Sequence, residues 1–214
     1  VIPLGVRQEF FDVKSDDIRH IRIEFNLPER FILYLGGIDP RKNLHRALEG
    51  YAAALTDVEL PPIVIAGKLN TNHHDYIALI EKITEFSLDE KVIFIGFVPN
   101  ELLASLYSAA EFLLFPSLCE GFGLPVLEAM AVGCPVLTSN VSAMPEVAEN
   151  SALLVDPYSI DEIRDGILTI ATDPNLRKKL AQSGKKRAKE FSWKRTAEML
   201  LQILKKTVGV TNER

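Results

Sequence analysis

The chain has 214 residues, a hydrophobic fraction of 47% and a formal net charge of −5, and its mean hydropathy is +0.10. These values indicate a globular protein with a packed core, in one large domain or a domain with extra helices, and the acidic balance argues against a nucleic-acid-binding protein. No apolar run approaches the roughly 20 residues that a membrane-spanning helix needs.

Short apolar runs alternate with helical patterns over the first three quarters of the chain. The predicted strands are Phe31–Leu35, Ile63–Ala66, Val92–Ile95, Phe112–Phe115, Val136–Thr138 and Ala152–Val155. The predicted helices are Ser15–Phe25, Leu44–Leu55, His74–Phe86, Glu101–Ala109 and Leu124–Ala131, with a short turn near Pro145–Ala148. This alternation predicts an α/β fold, a Rossmann-like doubly wound parallel sheet of about six strands. Ligands of such sheets bind at the carboxyl ends of the strands.

After Asp156 and Pro157 the pattern is helical throughout. Helices are predicted at Ile160–Thr172, from Pro174, and from a Ser192 cap to about Lys206. We expect them to pack at the edge of the sheet or to bridge to a further domain.

The loop after the first strand reads Gly36-Gly37-Ile38-Asp39-Pro40-Arg41-Lys42-Asn43. Paired glycines allow a ligand to approach the backbone closely, and Arg41 and Lys42 place positive charge at a helix start, where a phosphate is favoured. A tight turn with two solvated cations explains this segment equally well.

The loop after the fourth strand carries two carboxylates, Glu120 and Glu128, separated by seven residues that include Gly121, Gly123 and Pro125. Glu128 is expected about one turn into the helix, and the helix N-terminus offers unpaired N–H groups suited to a diphosphate. An acid beside such a site can hold sugar hydroxyls. Simple placement of an acid in a helix's first turn and two-carboxylate hydrolysis are rival interpretations.

A third candidate segment follows the third strand and begins Gly96-Phe97-Val98. Phe97 and Val98 are suited to packing on a flat nucleobase, although loop packing explains them equally well. No metal site is expected, since His73 and His74 are neighbours in sequence and point apart. The two cysteines, Cys119 and Cys134, favour a reducing compartment, so we expect a cytoplasmic protein. Because the sequence begins at Val1 rather than Met, we also expect it to be a piece of a longer polypeptide.

At these motifs the chain resembles the C-terminal, donor-binding half of retaining glycosyltransferases of family 4 (glycosyl transferases group 1), which have the two-domain GT-B fold. The matching segments are 1–6, 35–43, 96–98, 116–131, 145–157 and 191–193. The resemblance implies a nucleotide-sugar-binding domain over residues 1–191, and a C-terminal helix in 192–214 that crosses toward a missing N-terminal acceptor domain.

The resemblance also implies roles for individual residues. Glu120 would hold the transferred sugar as a catalytic residue, Glu128 would hold the ribose, and Lys42 would neutralise the diphosphate as it departs. The further donor-binding residues would be Gly36, Gly37, Arg41, Phe97, Val98, Gly121, Phe122, Gly123 and Leu124. Members of the family often carry arginine at the position of Gly37, so here a phosphate contact would come from Arg41 or from outside the chain, or would be absent.

The expected activity is that of a hexosyltransferase that moves a sugar from a nucleotide-sugar to an acceptor hydroxyl with retention, without a metal cofactor. The Pro-Arg-Lys-Asn sequence at 40–43 resembles that of bacterial mannosyltransferases of surface-polysaccharide biosynthesis and favours GDP-mannose over a UDP-sugar. A glycan or lipid-linked acceptor would bind the missing half, so the chain alone would be inactive. The basic stretch from Arg177 to Arg195, with nine basic residues and one acid, is a solvated face, a contact with a partner domain, or a peripheral contact with anionic lipid at the inner face of a membrane. A non-catalytic nucleotide-sugar-binding or partner-docking domain, and a glycan phosphorylase or sugar-phosphate synthase, are alternatives.

Overall fold

The computed structural model describes residues 2–68 and 74–207, and His73 lies outside these ranges. Six parallel strands form one sheet in the order β3-β2-β1-β4-β5-β6. The strands are β1 (Ile32–Leu35), β2 (Ile63–Ala66), β3 (Val92–Gly96), β4 (Phe112–Phe115), β5 (Val136–Ser139) and β6 (Leu153–Val155). The predicted doubly wound parallel sheet is therefore confirmed, and every predicted strand is present to within one residue at each end.

Nine α-helices lie within the described ranges. They are α1 (Ser15–Glu24), α2 (Leu44–Leu55), α3 (His74–Glu85), α4 (Leu103–Ala109), α5 (Leu124–Val132), α6 (Met144–Ala148), α7 (Ile160–Thr172), α8 (Pro174–Ala188) and α9 (Trp193–Thr207). The helix predicted at Glu101–Ala109 is wrong in its first turn, where residues Asn100–Leu102 form a 3-10 turn ahead of α4. Ser192 caps α9 as expected, since its hydroxyl accepts a hydrogen bond from the backbone N–H of Arg195 at 3.2 Å.

Helices cover both faces of the sheet, as the apolar character of the strands requires. Phe112, Leu113, Leu114 and Phe115 are all fully buried, and they alternate between two hydrophobic clusters. One cluster includes residues of α4 and α5, and the other includes residues of α2 and α7. Strands buried on both faces carry no polar alternation, which is why their apolar runs are continuous.

The N-terminal segment of the domain is hydrogen-bonded to residues on either side of Ser192. The backbone N–H of Val6 donates to the carbonyl of Phe191 at 3.1 Å, and Thr196 Oγ1 donates to the carbonyl of Pro3 at 2.7 Å. None of the α9 residues is buried, and Leu200 and Leu204 are about half exposed. The helix therefore leaves the sheet after Ser192 and contributes little to its core.

Candidate donor-binding site

The strand order reverses between β1 and β4, which pair with each other although three helices separate them in sequence. In an open parallel sheet, the crevice at such a reversal is where ligands bind. The β1–α2 loop and the β4–α5 loop leave the sheet on either side of this crevice. The two segments with the strongest sequence signals therefore face one another.

Gly36 and Gly37 let the β1–α2 loop pass very close to the end of β2. Gly37 has φ +59°, and a Cβ there would stand 2.5 Å from the carbonyl oxygen of Lys68. That approach is impossible for any side chain without movement of the backbone. Glycine at 37 is thus a packing requirement of this loop, and it explains why an arginine is absent.

The side chain of Arg41 pairs with a carboxylate of its own loop. Its guanidinium pairs with the Asp39 carboxylate at 2.7 Å, and this contact lowers the pKa of Asp39 below its ordinary value. The Arg41 carbonyl accepts a hydrogen bond from the backbone N–H of Leu118 at 2.7 Å. In this structure Arg41 joins the two loops through its main chain, while its exposed side chain is directed to Asp39.

Lys42 and Glu120 meet across the crevice. Lys42 Nζ lies 2.5 Å from Glu120 Oε1, and both side chains are less than one-fifth exposed. Phe115 at the end of β4 packs beneath the ammonium group, whose nitrogen is 4.7 Å from the ring centroid. The buried Tyr34 hydroxyl donates to the Lys42 carbonyl at 2.9 Å, and burial raises the pKa of Tyr34 well above its ordinary value, so it remains a donor.

The N-terminus of α5 is open toward the same crevice. Gly123 precedes the helix with φ +93° and has no side chain with which to cap it, and Pro125 lies in the first turn. Pro125 has no N–H, and the N–H groups of Val126 and Leu127 donate to the Gly123 carbonyl at 3.0 and 3.2 Å, so α5 offers an anion the Leu124 N–H and the positive end of its dipole. An open cavity of about 520 Å³ lies over this loop, lined by Ile2, Leu4, Glu120, Gly121, Phe122, Gly123, Leu124 and Pro125.

Aromatic packing supports this loop from behind. The rings of Phe122 and Phe191 meet edge to face with centroids 5.9 Å apart. Arg187 lies over the Phe191 ring, with its guanidinium carbon 4.7 Å from the ring centroid. The loop after β4 is thereby packed against the segment that connects α8 to α9.

Glu128 stands one turn along α5, on the side that faces α4. The Tyr107 hydroxyl donates to Glu128 Oε2 at 3.2 Å. Burial raises the pKa of Glu128, and this outweighs the Tyr107 hydrogen bond and the nearby Arg7, which both lower it. Arg7 itself donates to the Asn100 carbonyl at 3.2 Å and so links the surroundings of Glu128 to the 3-10 turn ahead of α4.

The loop after β3 presents one exposed aromatic ring. Phe97 is 59% exposed, and Lys68 Nζ lies 5.5 Å from its centroid. The Val98 side chain is buried at 5% exposure and belongs to the core. A base at this loop could therefore contact the ring of Phe97 and only the backbone of Val98.

Several residues that support the site were not found from the sequence. Ser117 Oγ lies 2.9 Å from Glu120 Oε1, and Ser142 binds the backbone of Glu120. Ser117 could have been found, because it is a polar residue that follows a buried strand after a single proline. Ser142 and Tyr107 have no local sequence signal, since they come from other elements.

Within residues 2–68 and 74–207, no cluster of three or more His, Cys, Asp or Glu side chains is arranged to hold a metal ion. In the same ranges, no helix is both long enough and apolar enough to cross a membrane.

The parallel sheet with helices on both faces, together with the similarity to the solved structures and sequences named below, places this domain among the Rossmann-like domains of GT-B glycosyltransferases. A solved structure of the C-terminal domain of a glycosyl transferase group 1 family protein (LpcC) from Francisella tularensis is 28% identical. It has a TM-score of 0.74 and covers 87% of this chain and 97% of that one. Sucrose-phosphate synthase from Thermosynechococcus elongatus is 29% identical with a TM-score of 0.82, covering 98% of this chain and 53% of that one.

The family model for glycosyl transferases group 1 matches residues 16–187, and the chain belongs to this family. O-antigen chain mannosyltransferase B of Escherichia coli is 36% identical over 164 residues, which are 76% of this chain and 42% of that protein. The chain therefore spans less than half the length of this curated relative.

Proposed function

We propose that the chain is the donor-binding half of a retaining hexosyltransferase that uses a nucleotide-sugar, with GDP-mannose as the preferred donor. The observation that carries the proposal is the meeting of Lys42 and Glu120, 2.5 Å apart, at the open N-terminus of α5. The similarity to a mannosyltransferase supports the choice of sugar. The acceptor, a glycan or a lipid-linked glycan, would bind the other half of the parent protein.

In this proposal the diphosphate lies between the β1–α2 loop and the N-terminus of α5. Lys42 turns from Glu120 toward the diphosphate, where its charge, the Leu124 N–H and the positive end of the α5 dipole stabilise the leaving group. Glu120 accepts hydrogen bonds from hydroxyls of the hexose. Oε2 of Glu120 accepts no hydrogen bond from the described residues and suits this role, because Lys42 and Ser117 both approach Oε1.

The nucleoside lies toward α4. Glu128 would accept hydrogen bonds from the ribose, and Phe97 would contact the base, together with the backbone of Val98. In the transfer step, the bond from the anomeric carbon to the diphosphate breaks as a bond to the acceptor oxygen forms on the same face. The proton of the acceptor hydroxyl passes to the departing diphosphate.

Titration calorimetry of this chain with GDP, UDP and ADP tests the proposal. We expect GDP to bind with a Kd below 1 mM and more tightly than the other two, and to bind equally well in EDTA, because Lys42 and the helix N-terminus supply the positive charge. No sugar transfer is expected from the chain alone. Absence of binding by all three nucleotides, together with unchanged transfer by the parent protein carrying Glu128→Ala, would rule out the proposal.

A peripheral contact with an anionic membrane surface is a separate part of the proposal. Four lysines of α8 and Lys189, the residue that follows the helix, are all exposed and fall within an arc of about 120° on one face; the four are Lys178, Lys179, Lys185 and Lys186. No acidic residue lies within α8, and each basic residue near an anionic surface contributes about 1 kcal/mol. Sedimentation with phosphatidylglycerol vesicles should retain the chain at low salt and release it at high salt, whereas phosphatidylcholine vesicles should not retain it. Equal retention by both vesicles would contradict this contact.

A further inference from the structure

Ser142, in the loop between β5 and α6, binds both main-chain polar groups of Glu120. Its hydroxyl donates to the Glu120 carbonyl at 2.8 Å and accepts from the Glu120 N–H at 3.0 Å. One side chain from a neighbouring strand end thus fixes the backbone of Glu120, which lies 22 residues earlier in the chain.

The backbone at Ser142 is unusual for a residue with a side chain. Its φ is +59°, in the left-handed region, which glycine adopts without steric cost and other residues rarely do. Glycine would relieve the strain here but would lack the hydroxyl. Residues in strained backbone conformations cluster at functional sites, so the side chain of Ser142 is a candidate for a role at this one.

The contacts of the Glu120 carboxylate are weaker constraints than those of its backbone, because each partner is shared with another group or is expected to move when the donor binds. The single hydroxyl proton of Ser117 is shared between Glu120 Oε1 at 2.9 Å and the Arg41 carbonyl at 2.8 Å. Among the residues that the structure describes, Lys42 is the remaining partner of the Glu120 carboxylate, and in the proposed donor complex it turns to the diphosphate. The two hydrogen bonds to Ser142 involve only the backbone and need not change when the donor binds.

We infer that Ser142 is a positioning residue, which holds the Glu120 backbone so that its carboxylate stays at the hexose when Lys42 moves away. This inference rests on the proposed function, because it takes Glu120 to be the residue that binds the sugar. It predicts an effect on the sugar part of the donor and none on the nucleotide part.

The test compares the Kd of GDP with that of GDP-mannose, using UDP and UDP-glucose as a second pair, in the full chain and in Ser142→Gly and Ser142→Ala. The alanine variant loses the hydroxyl and keeps the strain of a side chain at positive φ, whereas the glycine variant loses both the hydroxyl and that strain. We expect both variants to bind GDP-mannose at least fivefold more weakly and GDP within twofold of the unchanged chain. The matched control is Ser87→Gly, since Ser87 is also exposed, has φ +54° and lies far from the crevice before β3.

The outcomes separate the inference from the proposed function. If GDP-mannose binding is unchanged in both variants while GDP still binds, Ser142 does not position Glu120 and the donor site stands. If the affinities for GDP and GDP-mannose fall equally, Ser142 supports the whole loop and the inference is wrong. If the unchanged chain binds neither nucleotide pair, the proposed function fails, and the inference fails with it. Thermal unfolding of each variant confirms that it is folded before its affinity is interpreted.

Discussion

Replacing Glu128 with glutamine should weaken nucleotide binding and stabilise the fold at neutral pH. Glutamine keeps the shape of the side chain and an oxygen that can accept from the Tyr107 hydroxyl, but it removes the negative charge. Because Tyr107 occupies Oε2, we expect at least one ribose hydroxyl to bond to Oε1. A hydrogen bond to a charged group contributes about 1.5–3 kcal/mol, so the nucleotide Kd should rise roughly 10- to 150-fold.

The effect on stability follows from the pKa of Glu128. Burial raises this pKa above its ordinary value of 4.5, so the folded chain binds the proton more tightly than the unfolded chain. The free energy of unfolding therefore falls as the pH rises from about 4.5 through the raised pKa, and the penalty persists at neutral pH. Glutamine carries no such penalty, and its advantage should vanish below about pH 4.5.

Thermal unfolding between pH 4 and pH 8 measures this difference, since about 2–4 °C corresponds to 1 kcal/mol in a domain of this size. Calorimetry with GDP at pH 7.5 measures the loss of binding. Glu81→Gln, at an exposed position of α3, is the matched control and should change neither quantity. A lower unfolding midpoint at pH 7.5 for Glu128→Gln, or an unchanged GDP affinity, would refute this reasoning.

Further predictions concern the phosphate loops and the packing of α8. Lys42→Met should weaken GDP binding at least tenfold, because one charge-assisted hydrogen bond is lost, while Lys91→Met, at the opposite edge of the sheet, should leave calorimetric titrations unchanged. Arg177→Ala should lower the free energy of unfolding by about 2–3 kcal/mol, because Arg177 pairs with the 11%-exposed Glu111 and donates to two carbonyls at the end of α7; denaturant titration measures the loss, and GDP affinity should not change. Gly37→Arg should destabilise the fold in the same assay and fail to strengthen GDP binding, because its Cβ would collide with a backbone carbonyl; tighter binding would show that the loop accommodates the side chain.

The sheet could be predicted from the sequence because its strands are buried on both faces. Such strands carry uninterrupted apolar runs, as in Phe112–Phe115, and the helices between them require parallel crossovers. The start of α4 was less predictable. Residues 100–102 carry no local feature that separates a 3-10 turn from the first turn of a helix.

Among the candidate site residues, the sequence placed Glu120 and Lys42 in loops that leave the carboxyl edge of the sheet. It did not indicate that Arg41 pairs with Asp39, or that the Val98 side chain belongs to the core. Those outcomes depend on side-chain directions in loops, which periodicity does not specify. For the same reason the contact of Ser142 with Glu120, between residues of two different loops, had no signal in the sequence.

The sequence by itself determined the α/β class, the order of the elements and the two loops that carry glycine next to charge, since each of these depends on local pattern. Only the tertiary structure decided that β1 and β4 are neighbours, and therefore that Lys42 and Glu120 meet. It also decided why residue 37 must be glycine. Both facts depend on how closely separate segments approach one another, and that distance is set by packing across the whole sheet.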